Sequence, residues 1–187
     1  MTIYSWIIVA CWAVFIIVWI IAAVGTKRNL RSHQGFFLFR IVAFFVVVIA
    51  LGMSRATRYV SVALPVATVS QWAPLGALVC VLGIGLAVWA RVYLGRNWGM
   101  PMSVKDSPEL VTTGPYAYVR HPIYTGVLLA VLGSALATSW IWLIWLLASG
   151  VYFIYSATQE EKLLMKEFPE AYPAYKKRTK MLVPFIL

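Results

Sequence analysis

From Ile3 to Val24 the chain runs 22 residues without a charge. A helix of that length is about 33 Å long at 1.5 Å per residue, enough to cross a hydrocarbon core of roughly 30 Å. Four further apolar stretches follow: residues 36–53 with Arg40 near the start, 75–94 with Arg91 near the end, 123–137, and 140–157. The last two meet across Thr138 and Ser139 and read as a tight helical hairpin. Charged residues make up 12% of the chain, against about 25% in soluble domains. The expected fold is therefore an all-α integral membrane protein with about five transmembrane helices, forming a single membrane domain over residues 1–187. Pro65 argues against another straight span within residues 59–69.

The net charge of +10 would suggest nucleic acid until its distribution is read. With the N-terminus outside and the C-terminus cytoplasmic, only Arg55 and Arg58 of the 16 basic residues fall outside. That is a positive-inside pattern, and it explains the charge without a nucleic-acid partner. Residues 3–24 lack a basic segment before them and exceed a usual signal core, so they read as a retained span. Cys11 and Cys80 lie inside apolar spans and offer neither a disulfide framework nor metal-ligand spacing. Trp6, Trp12 and Trp19 are spaced for lipid or helix contact, and His33 reads as a solvated loop histidine. The pair Gly83 and Gly85 sits deep in a span, which favours close helix packing over a dinucleotide loop. Arg91 is near enough to a helix end to snorkel.

Chemistry concentrates between residues 97 and 126, above all in the run L-V-T-T-G-P-Y-A-Y-V-R-H-P-I-Y-T-G at residues 110–126. Polar loops of such length are commonly functional. Gly114 with Pro115 marks a turn, residues 110–113 read as extended, and Pro122 suits a first helical position. Arg120 could be a topology anchor, His121 a helix cap, and Tyr116, Tyr118 and Tyr124 an interfacial belt. Their density at one membrane-depth turn points instead to half of a site. Glu160 and Glu161, where the fifth span ends, would supply the other half, although a solvated helix end paired with lysine is the plainer reading. Gly126 and Gly133 share a helix face and would let the fifth helix, or a flat ligand, approach closely. An amphipathic continuation to about Glu167, a break at Pro169 and a short basic–aromatic element at residues 171–177 complete the chain.

Residues 91–184 resemble the isoprenylcysteine carboxyl methyltransferases and their phospholipid-methyltransferase relatives. The frame is the 110–126 run, an apolar hairpin, then E-E-K-L-L-M-K-E-F-P-E-A-Y-P-A-Y-K-K-R, with Leu94-Gly95-Arg96-Asn97-Trp98 upstream. The resemblance implies a methyltransferase-like core over residues 75–187, with residues 1–74 as N-terminal helices. It implies S-adenosylmethionine as cofactor, contacted by Pro108, Glu109, Leu110, Val111, Tyr116, His121, Pro122, Ile123, Tyr124 and Glu160. Arg120, His121 and Glu160 are the candidate catalytic residues, with no metal. The acceptor would be a lipophilic or lipidated molecule within membrane lipid. Carboxylate-methylating members of the family carry an arginine where Ser156 stands, so another lipophilic thiol, amine or acid held by Arg120 or Arg91 competes with a prenylcysteine carboxylate. Two other classes stand beside this reading. One is a membrane NADPH-dependent reductase of the sterol-reductase type, which shares a similar histidine–tyrosine–glycine segment on a longer chain. The other is a non-catalytic membrane protein.

Overall fold

The computed structural model describes residues 2–24, 71–95, 109–139 and 141–184. Among these the regular elements are all helical: α1 (Ile3–Val24), α2 (Ala73–Leu94), a 3₁₀ turn (Gly114–Ala117), α3 (Pro122–Ala137), α4 (Ile141–Glu167) and α5 (Ala171–Arg178). Helices α1, α2 and α4 are long and apolar enough to cross a membrane, and α3 is a shorter apolar helix. The protein is an all-α integral membrane protein, as its charge-free runs require. The expected second span, the basic loop with His33, the 54–70 connection, Asn97 and Trp98, and Pro108 lie outside the described residues.

The tightest helix pair is α2 with α3, and glycines explain why. A Cβ added at Gly76 would meet the Ala137 nitrogen at 2.5 Å and the Gly133 carbonyl at 2.7 Å, and one at Gly83 would meet the Ala130 nitrogen at 2.5 Å and the Gly126 carbonyl at 2.6 Å. Both pairs are spaced seven residues apart, so two antiparallel helices touch backbone to backbone two turns apart. In a lipid solvent this close packing, rather than hydrophobic burial, drives helix association. The expectation for Gly126 and Gly133 is thus corrected: they receive α2, not the fifth helix or a ligand. Gly85, by contrast, has open space where a Cβ would go.

Helix α1 joins this pair through Trp12. Its indole stacks on Trp142 of α4 at 6.1 Å, and its Nε1 donates to Ser134 Oγ of α3 at 3.1 Å. Ser134 also lies 3.9 Å from the buried Cys80 sulfur, and Cys11 and Cys80 are both free thiols. A hydrogen bond between membrane helices is worth about 0.6 kcal/mol. Trp12 therefore serves helix contact, whereas Trp6 faces outward. At the far end of α1, Arg91 is buried and does not snorkel. It donates to the Ala22 carbonyl at 2.6 Å and to the Gly95 carbonyl at 2.9 Å, clamping the ends of α1 and α2 together.

Helices α3 and α4 form the expected hairpin, which returns Ser156, Glu160 and Glu161 to the end of the bundle where α2 finishes and α3 begins. α4 runs without a break to Glu167 and stops before Pro169. The basic–aromatic element forms α5, whose Tyr172 and Tyr175 are buried. After α5 the chain runs back along the loop before α3. Val119 bridges Lys180, and the amides of Arg120 and His121 donate to the Lys180 and Met181 carbonyls at 2.8 and 3.1 Å. Thr125 Oγ1 adds a 2.6 Å bond to the Leu182 carbonyl.

Candidate functional site

The loop entering the site is shaped by one glycine. Gly114 has φ of 60°, a left-handed conformation, and the Tyr93 ring lies 2.7 Å from where its Cβ would be. Tyr93 also donates to Thr113 Oγ1 at 2.9 Å. The 3₁₀ turn that follows buries Pro115 and Tyr116. Tyr116 is a structural strut: its hydroxyl reaches the Ala90 carbonyl, and its own carbonyl accepts from Tyr175 at 2.6 Å. Burial holds the Tyr116 phenol well above its ordinary pKa and pushes Tyr175 up to about 12, so both stay neutral.

His121 occupies the N-cap position of α3, yet its side chain makes no capping bond. The ring is turned toward α4 and stands between two carboxylates. Nδ1 is 3.5 Å from Glu160 Oε2, and Nε2 is 3.6 Å from Glu161 Oε1. These distances give charge attraction, and the second is too long for a hydrogen bond, so buried Nε2 has no hydrogen-bond partner. Burial alone would lower the pKa of this histidine, but its interactions with Glu160 and Glu161 prevail and raise it above the ordinary value. The imidazole lies parallel to the Tyr124 ring at 5.4 Å, and Tyr124 lies parallel to Phe153 at 4.5 Å. A column of three flat rings thus connects the polar end of the bundle to its apolar interior.

Glu160 closes one side of the column. Its Oε1 accepts from the Tyr124 hydroxyl and from Ser156 Oγ at 3.2 Å. Tyr124 and Ser156 also lie 3.2 Å apart, so two hydroxyls fix one carboxylate oxygen. The Glu160 side chain keeps 23% exposure, whereas Glu161 keeps 2%. Glu161 is surrounded by cations: Arg120 Nε at 2.6 Å and Lys176 Nζ at 2.6 Å. Arg120 also donates to the Lys176 and Thr179 carbonyls, so it binds the chain after α5 to the end of α4.

The structure therefore brings together Arg120, His121, Tyr124 and Glu160, and Pro122 is buried beneath them as the first residue of α3. Half-buried Ile123 follows on the same helix. Glu109, Leu110 and Val111 lie on the approach to the turn, and the Tyr116 hydroxyl reaches α2. Lys176, Thr179 and the 180–182 backbone were not singled out by residue type. The basic–aromatic run at residues 171–177 is a signal for Lys176 alone.

A family model described as phospholipid methyltransferase matches residues 72–171, from the start of α2 to the start of α5. The chain belongs to the phospholipid methyltransferase family. Both halves of the ring-and-carboxylate site fall inside the match, whereas Lys176 and Thr179 lie beyond it. The chain is similar to the nickel-cobalt-cadmium resistance protein NccN of Alcaligenes xylosoxydans xylosoxydans, 34% identical over 118 residues, covering 62% of this chain and 55% of that protein. It is also similar to the protein-S-isoprenylcysteine O-methyltransferase of Schizosaccharomyces pombe, 33% identical over 123 residues, covering 64% of this chain and 51% of that one. Among solved structures it resembles the eukaryotic intramembrane Ras methyltransferase ICMT, with a TM-score of 0.57 and 25% identity over 84% of this chain and 55% of that chain. The chain thus spans about half the length of the relatives it matches.

Proposed function

We propose that this member of the phospholipid methyltransferase family is a membrane methyltransferase that uses S-adenosylmethionine and modifies a lipophilic acceptor. The observation that carries the reading is the Glu160 carboxylate, partly exposed and fixed by two hydroxyls beside a stacked ring column. The donor set suits the cofactor. A carboxylate can pair with an ammonium or accept from ribose hydroxyls, and ring faces favour a neighbouring cation. Glu160, His121 and Tyr124 would hold it. When bound, S-adenosylmethionine supplies a methyl group activated as a sulfonium.

The protein's own contribution is position and dryness. Tyr124 and Ser156 hold Glu160 Oε1, so its other oxygen has a set direction. Buried Pro122, next to His121, and buried Tyr172, near Glu161, would keep water from the base of the site. Orientation of two bound reactants can account for about 7–11 kcal/mol of a barrier. Arg120 acts as a positioning residue here, because its contacts run to Glu161 and to backbone carbonyls. Arg91 is likewise engaged with carbonyls, which disfavours an acceptor acid held by either arginine. Beside Ser156, α4 leaves Val151, Tyr152, Ile154 and Tyr155 exposed among the described residues, an apolar approach for an acceptor arriving from the bilayer.

Calorimetric titration of the detergent-purified chain with S-adenosylhomocysteine and with NADPH tests the reading. Saturable binding of the first is expected. Binding of NADPH alone, or of neither, would overturn it. A screen of lipophilic thiols, amines and acids with methyl-labelled cofactor then identifies the acceptor.

A further inference from the structure

The last turn of α5 carries Lys176, Lys177 and Arg178, and Lys180 follows. Cations at a helix C-terminus complement its dipole. That accounts for three of them, but not for the cavity they share. They line a space of about 350 Å³ with Tyr118 and Arg120, and among the described residues no carboxylate lines it. Lys176 and Arg120 are engaged by Glu161, which leaves Lys177, Arg178 and Lys180 as exposed cations facing the same hollow. Arg178 is steadied over the Tyr175 ring at 5.9 Å. The two walls are joined by the Val119–Lys180 bridge and the 2.8 Å bond from the Arg120 amide to the Lys180 carbonyl, so the cavity is a built feature.

Its depth in the membrane follows from its neighbours. Arg120 stands two residues before the first residue of α3, at the polar end of the bundle. Tyr118 is 66% exposed, as interfacial aromatic residues are. A cationic hollow at headgroup level meets phosphate before any other anion. We propose that this cavity binds the phosphate of an anionic phospholipid headgroup, with Lys177, Arg178 and Lys180 supplying the charge and the Tyr118 hydroxyl a donor. The occupant would tie α5 to the loop before α3. The site is separate from the ring column, since none of His121, Tyr124 and Glu160 lines it, and it does not rest on the methyl-transfer reading.

Native mass spectrometry of the full chain in detergent, titrated with phosphatidylglycerol and separately with phosphatidylcholine, tests it. The wild type should retain one phosphatidylglycerol with about tenfold or greater preference, the scale expected of several basic residues near anionic lipid. The K177Q/R178Q/K180Q variant should lose that preference, and the charge-keeping K177R/R178K/K180R variant should retain it. Equal retention of the two lipids by the wild type would overturn the proposal, as would undiminished preference in the glutamine variant. A third arm adds millimolar inorganic phosphate. If phosphate binds at the cavity while no lipid preference exists, the ligand is a free phosphate and the lipid assignment falls.

Discussion

Glu160 and Glu161 flank one imidazole: Oε2 of the first lies 3.5 Å from His121 Nδ1, and Oε1 of the second 3.6 Å from Nε2. They are neighbours in sequence and opposites in environment. Glu160 is partly open and held by hydroxyls, whereas Glu161 is buried and held by Arg120 and Lys176. One faces the proposed ligand and the other faces the fold. The two should therefore fail in different ways.

Glu160→Gln should weaken S-adenosylhomocysteine binding about tenfold or more, equivalent to about 1.4 kcal/mol, with little change in stability. Calorimetry against the wild type measures it. Wild-type affinity would place the cofactor elsewhere.

Glu161→Gln should act on stability first. Removing one member of a buried ion pair leaves uncompensated charge and typically costs about 3–5 kcal/mol. Denaturant unfolding in mixed micelles should show a loss of that order, well above the loss for Glu160→Gln. Equal losses would refute the division of labour.

The raised pKa of His121 gives a pH dependence with a definite sign. The folded state holds its proton more tightly than the unfolded chain, whose histidine titrates near about 6.5. The stabilisation is fully present below that value and fades as pH rises through the higher folded value. The stability gap between wild type and His121→Asn should narrow as pH rises from about 6 to about 9. A gap that widens would show that the ring is neutral in the fold.

Gly83→Ala and Gly126→Ala should each destabilise the bundle by about 1–3 kcal/mol, because the new methyl would overlap the backbone of the facing helix. Gly85→Ala, which meets open space, is the control and should be neutral or slightly stabilising. Thermal aggregation of the three purified variants separates them.

Ser156→Ala should weaken S-adenosylhomocysteine binding severalfold, because it removes one of the two hydroxyls that hold Glu160 Oε1; calorimetry against the wild type measures it. Wild-type affinity would show that Tyr124 alone suffices to orient the carboxylate.

The sequence reads clearly wherever charge is scarce or abrupt. Ile3–Val24 could be bounded because apolar runs in a membrane have no alternative but to span it, and Glu160 stood out because a carboxylate ends such a run. Helical spacing placed Gly126 and Gly133 on one face but could not name the helix opposite, since periodicity describes a face and not its partner. The surroundings of Arg91 are illegible in the sequence for a related reason. Nearness to a helix end allows snorkelling, but a neighbouring helix terminus offered bare carbonyls at the same depth. The 180–182 contacts were invisible because they are backbone bonds, which any residue type could make.

Those backbone bonds have a consequence for biosynthesis. Residues 180–182, which stitch the chain to Arg120, His121 and Thr125, emerge from the ribosome after α1, α2, α3 and α4. The bundle can insert and pack while the loop before α3 still lacks this fastening. A chain stopped before Lys180 would then be a correctly inserted protein with an unfastened site. Fastening of this loop therefore waits for residues 180–182 and not for insertion of the earlier helices.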